Sequence, residues 1–425
     1  MQVKIYKGFE SFSKYIDVEE KNDVSSTVQE ILTKVRKSGD AALREYTEQF
    51  DKVIPDSWLV PESALEEALD NLEDDLFLVL QQAADNIMLF HERQKTDSQL
   101  DFSSDGSVLG WKVTPVDSAG IYIPGGRAAY PSTLLMNAIP AQIAEVPRIA
   151  LVSPPGPSGL PHPLVMATAA FMGLEELYAV GGAQSIAALA YGTESIEKVV
   201  KITGPGNAYV TEAKRQVYGN VGIDSLAGPS EIMIVCDRQD IPVDYLVRDM
   251  LSQAEHDPDA GAFLVTTSEK QAKKVADRII KLIPELPRRE IIEASFKNRS
   301  AIILAKDMEE IFEIVNELAP EHLEVLTKEP FNDLYRIRNA GAIFLGPNTP
   351  EPVGDYFAGP NHTLPTSGCA KFSSPLGVQD FVKTSSVISY SAERLQSQGE
   401  QIIRFAEEEE LFSHAAAIQA RLDNL

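Results

Sequence analysis

Glu321 and His322 are adjacent in the pentapeptide Ala319-Pro320-Glu321-His322-Leu323. A carboxylate beside an imidazole, at a turn between a helical run and an apolar strand, can take one proton from an alcohol and another from water. An isolated Glu-His pair is more often a solvated turn, so the meaning of this one depends on its company. In LSQAEHDPD, Gln253 and His256 are three residues apart and share one face at the last turn of an expected helix, where carbonyl ends favour a cation. Gln is an unusual zinc ligand, and such a pair is commonly just a polar helix end. Asp355 and His362 lie in a Gly/Pro-stiffened stretch, 346–377, too long for a simple connector. His414 follows Glu409 in the last helical segment. His91 and His162 match no pattern and read as surface or helix-cap residues.

Three glycine-bearing turns form a second set. Gly125-Gly126 follows the strand GIYI and its Tyr122, Gly181-Gly182-Ala183-Gln184 follows ELYAV, and Gly204-Pro205-Gly206-Asn207 follows VVKIT. Glycine at the carboxyl end of a parallel strand lets backbone N–H groups approach a phosphate at a helix N-terminus. The last turn lacks the third glycine of the dinucleotide fingerprint, and a plain tight turn explains it equally well. Three such turns on neighbouring strands would nevertheless converge on one crevice.

The elements that must hold these groups follow from pattern. The first hundred residues read as helices, with a capping box at Ser26 to Gln29 and amphipathic runs over 42–50 and from 63 to about 93. From Ala119 short apolar strands (GIYI, RIALVS, ELYAV, VVKIT) alternate with helical segments at 131–144, 162–172, 183–191 and 207–218. A second series, EIMIVC, AFLVTT, AIILA, EVLT and AIFLG, alternates with helices at 243–256, from 269, and at 308–318. Alternation of this kind predicts two parallel sheets with crossover helices, hence an α/β protein of two sheet domains. A helical tail, 391–422, is broken near the acidic run 407–410.

Composition limits the chemistry. At 425 residues the chain exceeds one ordinary core, and 44% hydrophobic with 24% charged residues is the balance of a soluble protein. A net charge of −25 argues against nucleic acid, so a small substrate is expected. The absence of a membrane span or signal peptide in the sequence points to the cytoplasm. Two cysteines, Cys236 and Cys369, form neither a CxxC site nor a disulfide framework. Any metal would rest on His, Asp, Glu or amide oxygen.

Taken in order, YIPGGRA, GGAQSIAALAYGT, GPGNAYVTEAKRQV, AGPSE, LSQAEH, APEHLE, GDYFAGPNHTLPT and EEELFSH resemble the histidinol dehydrogenase family over essentially the full chain. The resemblance implies a zinc-containing, NAD-dependent enzyme that oxidises L-histidinol through histidinaldehyde to L-histidine, using two NAD per substrate. Residue by residue, it implies zinc on Gln253, His256, Asp355 and His414, which thereby also hold the substrate. It implies acid/base chemistry on Glu321 and His322, with His322, Ser230, His362 and Glu409 touching substrate, and NAD on Tyr122, Gln184 and Asn207. It further implies two Rossmann-like parallel-sheet domains, one inserted in the other. Their expected bounds are an N-terminal segment 1–20, a discontinuous domain 21–121 and 233–375, an NAD-binding domain 122–232, and a C-terminal helical domain 376–425 exchanged in a homodimer with shared sites.

Two rivals differ in class. A thiol-dependent aldehyde dehydrogenase would use Cys236 or Cys369 as nucleophile. Cys236, inside IMIVC, reads as a buried hydrophobe, whereas Cys369 lies in a loop. A zinc-stabilised binding protein would use the same ligand set with no chemistry.

Overall fold

The structure, a computed structural model, describes residues 3–16, 23–125, 129–226 and 228–425, apart from the side chains of 13–16. The expected segment 1–20 and the turn residue Gly126 therefore lie partly or wholly outside the described residues. In chain order the strands are β1 (Ile5–Lys7), β2 (Gln99–Phe102), β3 (Val108–Pro115), β4 (Ala119–Tyr122), β5 (Ile149–Ser153), β6 (Leu177–Ala179) and β7 (Lys201–Thr203). They continue with β8 (Gly222–Ile223), β9 (Glu231–Cys236), β10 (Gly261–Thr266), β11 (Ala301–Leu304), β12 (His322–Leu326), β13 (Ala342–Leu345) and β14 (Val382–Ser389).

One compact unit comprises residues 1–94 and 117–381 and contains two parallel sheets. The six-stranded sheet runs β1-β11-β10-β9-β12-β13, and the five-stranded sheet runs β6-β5-β4-β7-β8. Since β1 precedes and β9 follows all five strands of the smaller sheet, that sheet is an insertion in the larger one's sequence. β9 and β10 are buried at every position, because parallel strands covered by helices on both faces must be apolar throughout. Ile232, Ile234, Ala262, Leu264 and Ile302 pack with Met250, Val275 and Phe296 on one face. Met233, Val235, Val265, Ile303 and Val325 pack with Ile311, Val315 and Phe12 on the other. Each such side chain contributes about 1.5–3 kcal/mol by leaving water. Against that background the buried Glu231, Gln253 and Glu324 stand out.

The helix Ser25–Asp51 has its kink at Gly39, where φ is +49°. Its apolar face, Val28, Ile31, Val35 and Leu43, packs with Tyr122, Ile186, Leu189 and Val210, the core of the five-stranded sheet. The apolar stripe of this helix is thus matched to the smaller sheet. The expected capping box is not formed, because the helix begins at Ser25 after an uncapped Val24, which places Ser26 inside the first turn.

The other unit, residues 95–116 and 382–425, holds an antiparallel sheet, β14-β3-β2, and the helices Ala392–Glu408 and Phe412–Leu422. The C-terminal part is therefore helical beyond a strand that pairs eight residues with β3. The break between its helices falls at Glu409 to Leu411, with Glu410 at φ +60°. Among the described residues no helix is long and apolar enough to cross a membrane.

Candidate active site

The acid/base pair arises from a helix stop. The helix Met308–Leu318 ends at Ala319, which takes a left-handed φ of +48°, and Pro320 prevents its continuation. The chain then enters β12, whose first residue, His322, pairs with Ile232 of β9 and Ala342 of β13. Glu321 and His322 thus sit at the amino edge of the sheet, 6% and 3% exposed. Glu321 Oε2 accepts from Ser230 Oγ at 2.7 Å and from the Glu231 backbone N–H at 2.8 Å. Burial raises the Glu321 pKa, and the His322 charge with these donors draws it partly back.

His322 Nδ1 lies 3.0 Å from the Glu231 carbonyl oxygen, an acceptor, so Nδ1 carries the proton. Its Nε2 has no hydrogen-bond partner and lies 3.7 Å from Asp355 Oδ1. Burial works against charge on this ring, but Glu321, Asp355 and Glu351 outweigh it and raise its pKa to about 10. Asp355 is the counterpart: burial opposes its charge, and His322 and His362 hold it well below the usual carboxylate range.

Asp355 belongs to the short helix Glu351–Tyr356, where a loop was expected. The Asp355 carbonyl oxygen accepts from His362 Nδ1 at 3.1 Å, while His362 Nε2 lies 3.4 Å from Thr133 Oγ1 on the helix that follows β4. Gln253, on the helix Val243–Ala254, is 0% exposed, and neither its Oε1 nor its Nε2 has a partner. His256 follows just past that helix, an exposed residue that the surrounding protein still partly desolvates. The surrounding protein lowers its pKa by desolvation, with the Asp355 and His322 charges the next influences on it. Glu409 and His414 are exposed residues of the other unit, at the end of one helix and in the first turn of the next.

The three turns gather on the five-stranded sheet. The Gly182 N–H donates to the Tyr122 hydroxyl at 3.3 Å. Gln184 is 1% exposed with its Oε1 unpartnered. Asn207 caps the helix Ala208–Val217, its Oδ1 accepting from the N–H groups of Tyr209 and Val210 at 3.0 and 3.1 Å. Gly204, at φ +109°, has no room for a side chain, since a Cβ there would stand 2.2 Å from the Tyr122 carbonyl oxygen.

The sequence profile of histidinol dehydrogenase matches residues 16–422. The histidinol dehydrogenase of Bacillus subtilis strain 168 is 50% identical over 422 residues, 99% of each chain. That of Geobacillus kaustophilus is 52% identical over 396 residues, 93% of each. A crystal structure of histidinol dehydrogenase from Elizabethkingia anophelis superposes with a TM-score of 0.94 at 35% identity, covering 99% of this chain and 98% of that one.

The chain belongs to the histidinol dehydrogenase family.

It is therefore an oxidoreductase of mixed α/β fold. Several buried groups that the sequence does not single out surround the acid/base pair. Glu351, 2% exposed, lies with His322 and Asp355 in a group whose ligand atoms fall within 4.8 Å of one another and could hold a metal. Burial and the Asp355 charge push its pKa to about 8, so it donates a hydrogen bond to Asp355. Glu324 Oε1 accepts from the Glu351 N–H at 2.8 Å, and its carboxyl is bonded to Asp249, both acids raised chiefly by burial. Glu231 reaches the Ser367 N–H at 3.0 Å and Arg299 at 3.6 Å. The one signal for Glu231 and Glu324 was an acid inside an apolar strand. Lys214 pairs with Asp224, and together they hold the Gly204 carbonyl and N–H at 2.9 and 2.8 Å.

Two of the remaining histidines are also placed. His162 caps the helix Pro163–Phe171, as expected, through Nδ1 and the Leu164 N–H. His91 is fully buried instead of superficial, because the end of its helix packs beneath Asn361, with Nδ1 2.9 Å from the Ile87 carbonyl oxygen. Cys236 is buried at the far end of β9 from the site, and burial pushes its thiol up, which disfavours a nucleophile. Cys369 is half-buried, in the turn Cys369–Lys371.

Proposed function

We propose that the chain oxidises L-histidinol to L-histidine through histidinaldehyde, with two NAD consumed per substrate and zinc in the site. The observation that carries this reading is the Glu321-His322 pair, buried and oriented by Ser230 and Glu231, beside a buried Gln253 amide with no partner of its own. An unpartnered buried amide is costly, and a ligand to Oε1 would answer it. Gln253, His256 and Asp355 of one protomer fit a zinc site, with His414 of the partner protomer as the fourth ligand in a homodimer. When bound, zinc would hold the substrate's nitrogens and offset the Asp355 charge, which together with Glu321 and Glu351 raises the His322 pKa.

The chain's own groups then supply the proton chemistry. With Nδ1–H directed at the Glu231 carbonyl, the neutral His322 presents Nε2 as the base for the alcohol proton while hydride leaves the carbon. Glu321 spends Oε2 on two donors, leaving Oε1 to activate the water that hydrates the aldehyde. His322 returns its proton to the aldehyde oxygen as that water adds, and so is neutral again to take the hydrate's proton in the second oxidation. His362 and Glu409 contact the substrate, and Tyr122, Gln184 and Asn207 contact NAD. The reacting carbon stays in place while the nicotinamide is exchanged, which retains the reactive aldehyde.

A second metal position, His322 with Glu351 and Asp355, is favoured by their proximity alone; it would consume the base, and Glu351 is protonated at neutral pH. Limiting histidinol with excess NAD should give two NADH per substrate and none after zinc is stripped by a chelator. One NADH with free aldehyde would reduce the reaction to an alcohol oxidation, and none in the zinc-loaded protein would leave a binding protein.

A further inference from the structure

In the five-stranded sheet the strand order reverses between β4 and β7, so a dinucleotide crevice opens at their carboxyl ends. In this topology a carboxylate further along the chain ordinarily binds the adenosine ribose beside the first strand. The neighbour here, β5, ends in Ser153-Pro154-Pro155-Gly156, which contains no acid. A carboxylate reaches the same edge from another part of the chain.

Residues 58–60 run antiparallel to β6: the Trp58 carbonyl accepts from the Ala179 N–H and the Leu177 carbonyl from the Val60 N–H, both at 2.8 Å. Trp58 is level with the carboxyl end of β6, so the residues before it lie beyond that end. Pro55 accordingly lies against Gly159, in the loop that leaves β5. Asp51, the last residue of the helix Ser25–Asp51, starts this segment, and its charge acts on the Tyr122 phenol. Its Oδ2 is shielded from solvent and has no hydrogen-bond partner. Burial raises its pKa to about 6, so at neutral pH it is mostly ionised and lacks a donor. A polar oxygen left in that state costs stability without a structural return.

We propose that Asp51 is a specificity-determining residue of the dinucleotide site, accepting hydrogen bonds from the adenosine ribose hydroxyls and excluding a 2′-phosphate. The proposal rests on the NAD reading above and adds the preference for NAD over NADP. Both hydroxyls are donors that a carboxylate can take, and a phosphate there would face a fixed like charge in a partly dehydrated pocket.

The test titrates NAD and NADP separately into zinc-loaded wild type, Asp51→Asn and Asp51→Ala, following binding by calorimetry and folding by thermal melting. Both variants should bind NAD roughly 10- to 150-fold more weakly, the range of a hydrogen bond to a charged group. NADP binding should weaken by less than about threefold or improve, because the lost bond and the lost repulsion oppose each other. NAD affinity unchanged in variants that fold, or equal losses for the two dinucleotides, would overturn the assignment. So would unfolding of both variants, which would make Asp51 a structural group. Wild type that binds neither dinucleotide would overturn the cofactor reading itself, an outcome distinct from a failure of Asp51 alone.

Discussion

Replacing Gln253 should stabilise the metal-free protein and weaken its response to metal. Its side chain is 0% exposed, and both amide atoms lack partners. A buried polar group without a hydrogen bond costs about 1–3 kcal/mol. Methionine matches glutamine in length and carries no amide, so Gln253→Met should stabilise the metal-free protein by about 1–3 kcal/mol. At roughly 2 °C per kcal/mol for a domain of more than 150 residues, the metal-free melting temperature should rise by about 2–6 °C. Zinc works against that gain. At a free concentration of 100 times the wild-type Kd it stabilises wild type by about 2.7 kcal/mol. Loss of a ligand that weakens binding about 10- to 100-fold leaves only about 1.4 to 0.4 kcal/mol at the same concentration. The metal-induced rise in melting temperature should therefore shrink by half or more, as measured by scanning calorimetry on chelator-stripped and zinc-buffered samples. A variant less stable than wild type without metal, or one with an undiminished response to zinc, would show that the Gln253 amide is not held in reserve for a ligand.

Glu321→Gln should slow oxidation of supplied histidinaldehyde by roughly 10²–10⁴-fold while sparing the alcohol step, and His322→Asn should slow both, as single-turnover kinetics on each substrate would show. Cys236→Ser and Cys369→Ser should each keep most activity, with a lower melting temperature for the buried Cys236 site; a loss of several orders of magnitude in a folded, zinc-loaded variant would support a thiol route. Metal-free protein should lose stability from pH 6 to pH 10 in chelator-containing melts. The folded state holds protons on Glu351 to about pH 8 and His322 to about pH 10, whereas the unfolded chain releases them near 4.5 and 6.5, so the folded state binds more protons throughout that window. If His256 and His414 meet across a two-fold dimer, re-pairing inactive His256→Ala and His414→Ala chains should restore activity at about a quarter of all sites, one per mixed dimer. Mixed dimers confirmed by mass but inactive would place both ligands in one chain.

What could be read from residue order was whatever short-range chemistry encodes. EIMIVC and GAFLVT announce parallel strands because sheets covered on both faces tolerate only apolar runs. Glu321-His322 and the glycine turns are visible because their members are chain neighbours. β1 is three residues long, and β2 is exposed along its length, so neither carries a period to detect. β14 takes its strand form from pairing with β3 more than 250 residues away, which no local pattern records. The same limit applies to the site. Ser230 and Glu321 are 91 residues apart, yet their hydrogen bond is part of what orients the acid. Glu351 looks like an ordinary surface acid, and Glu324 shows only as an acid within an apolar strand, until the fold buries them beside Asp355 and Asp249. Burial is what shifts their protonation and leaves the Gln253 amide without a partner, and it arises only when β9, β12, β13 and their helices close over these side chains.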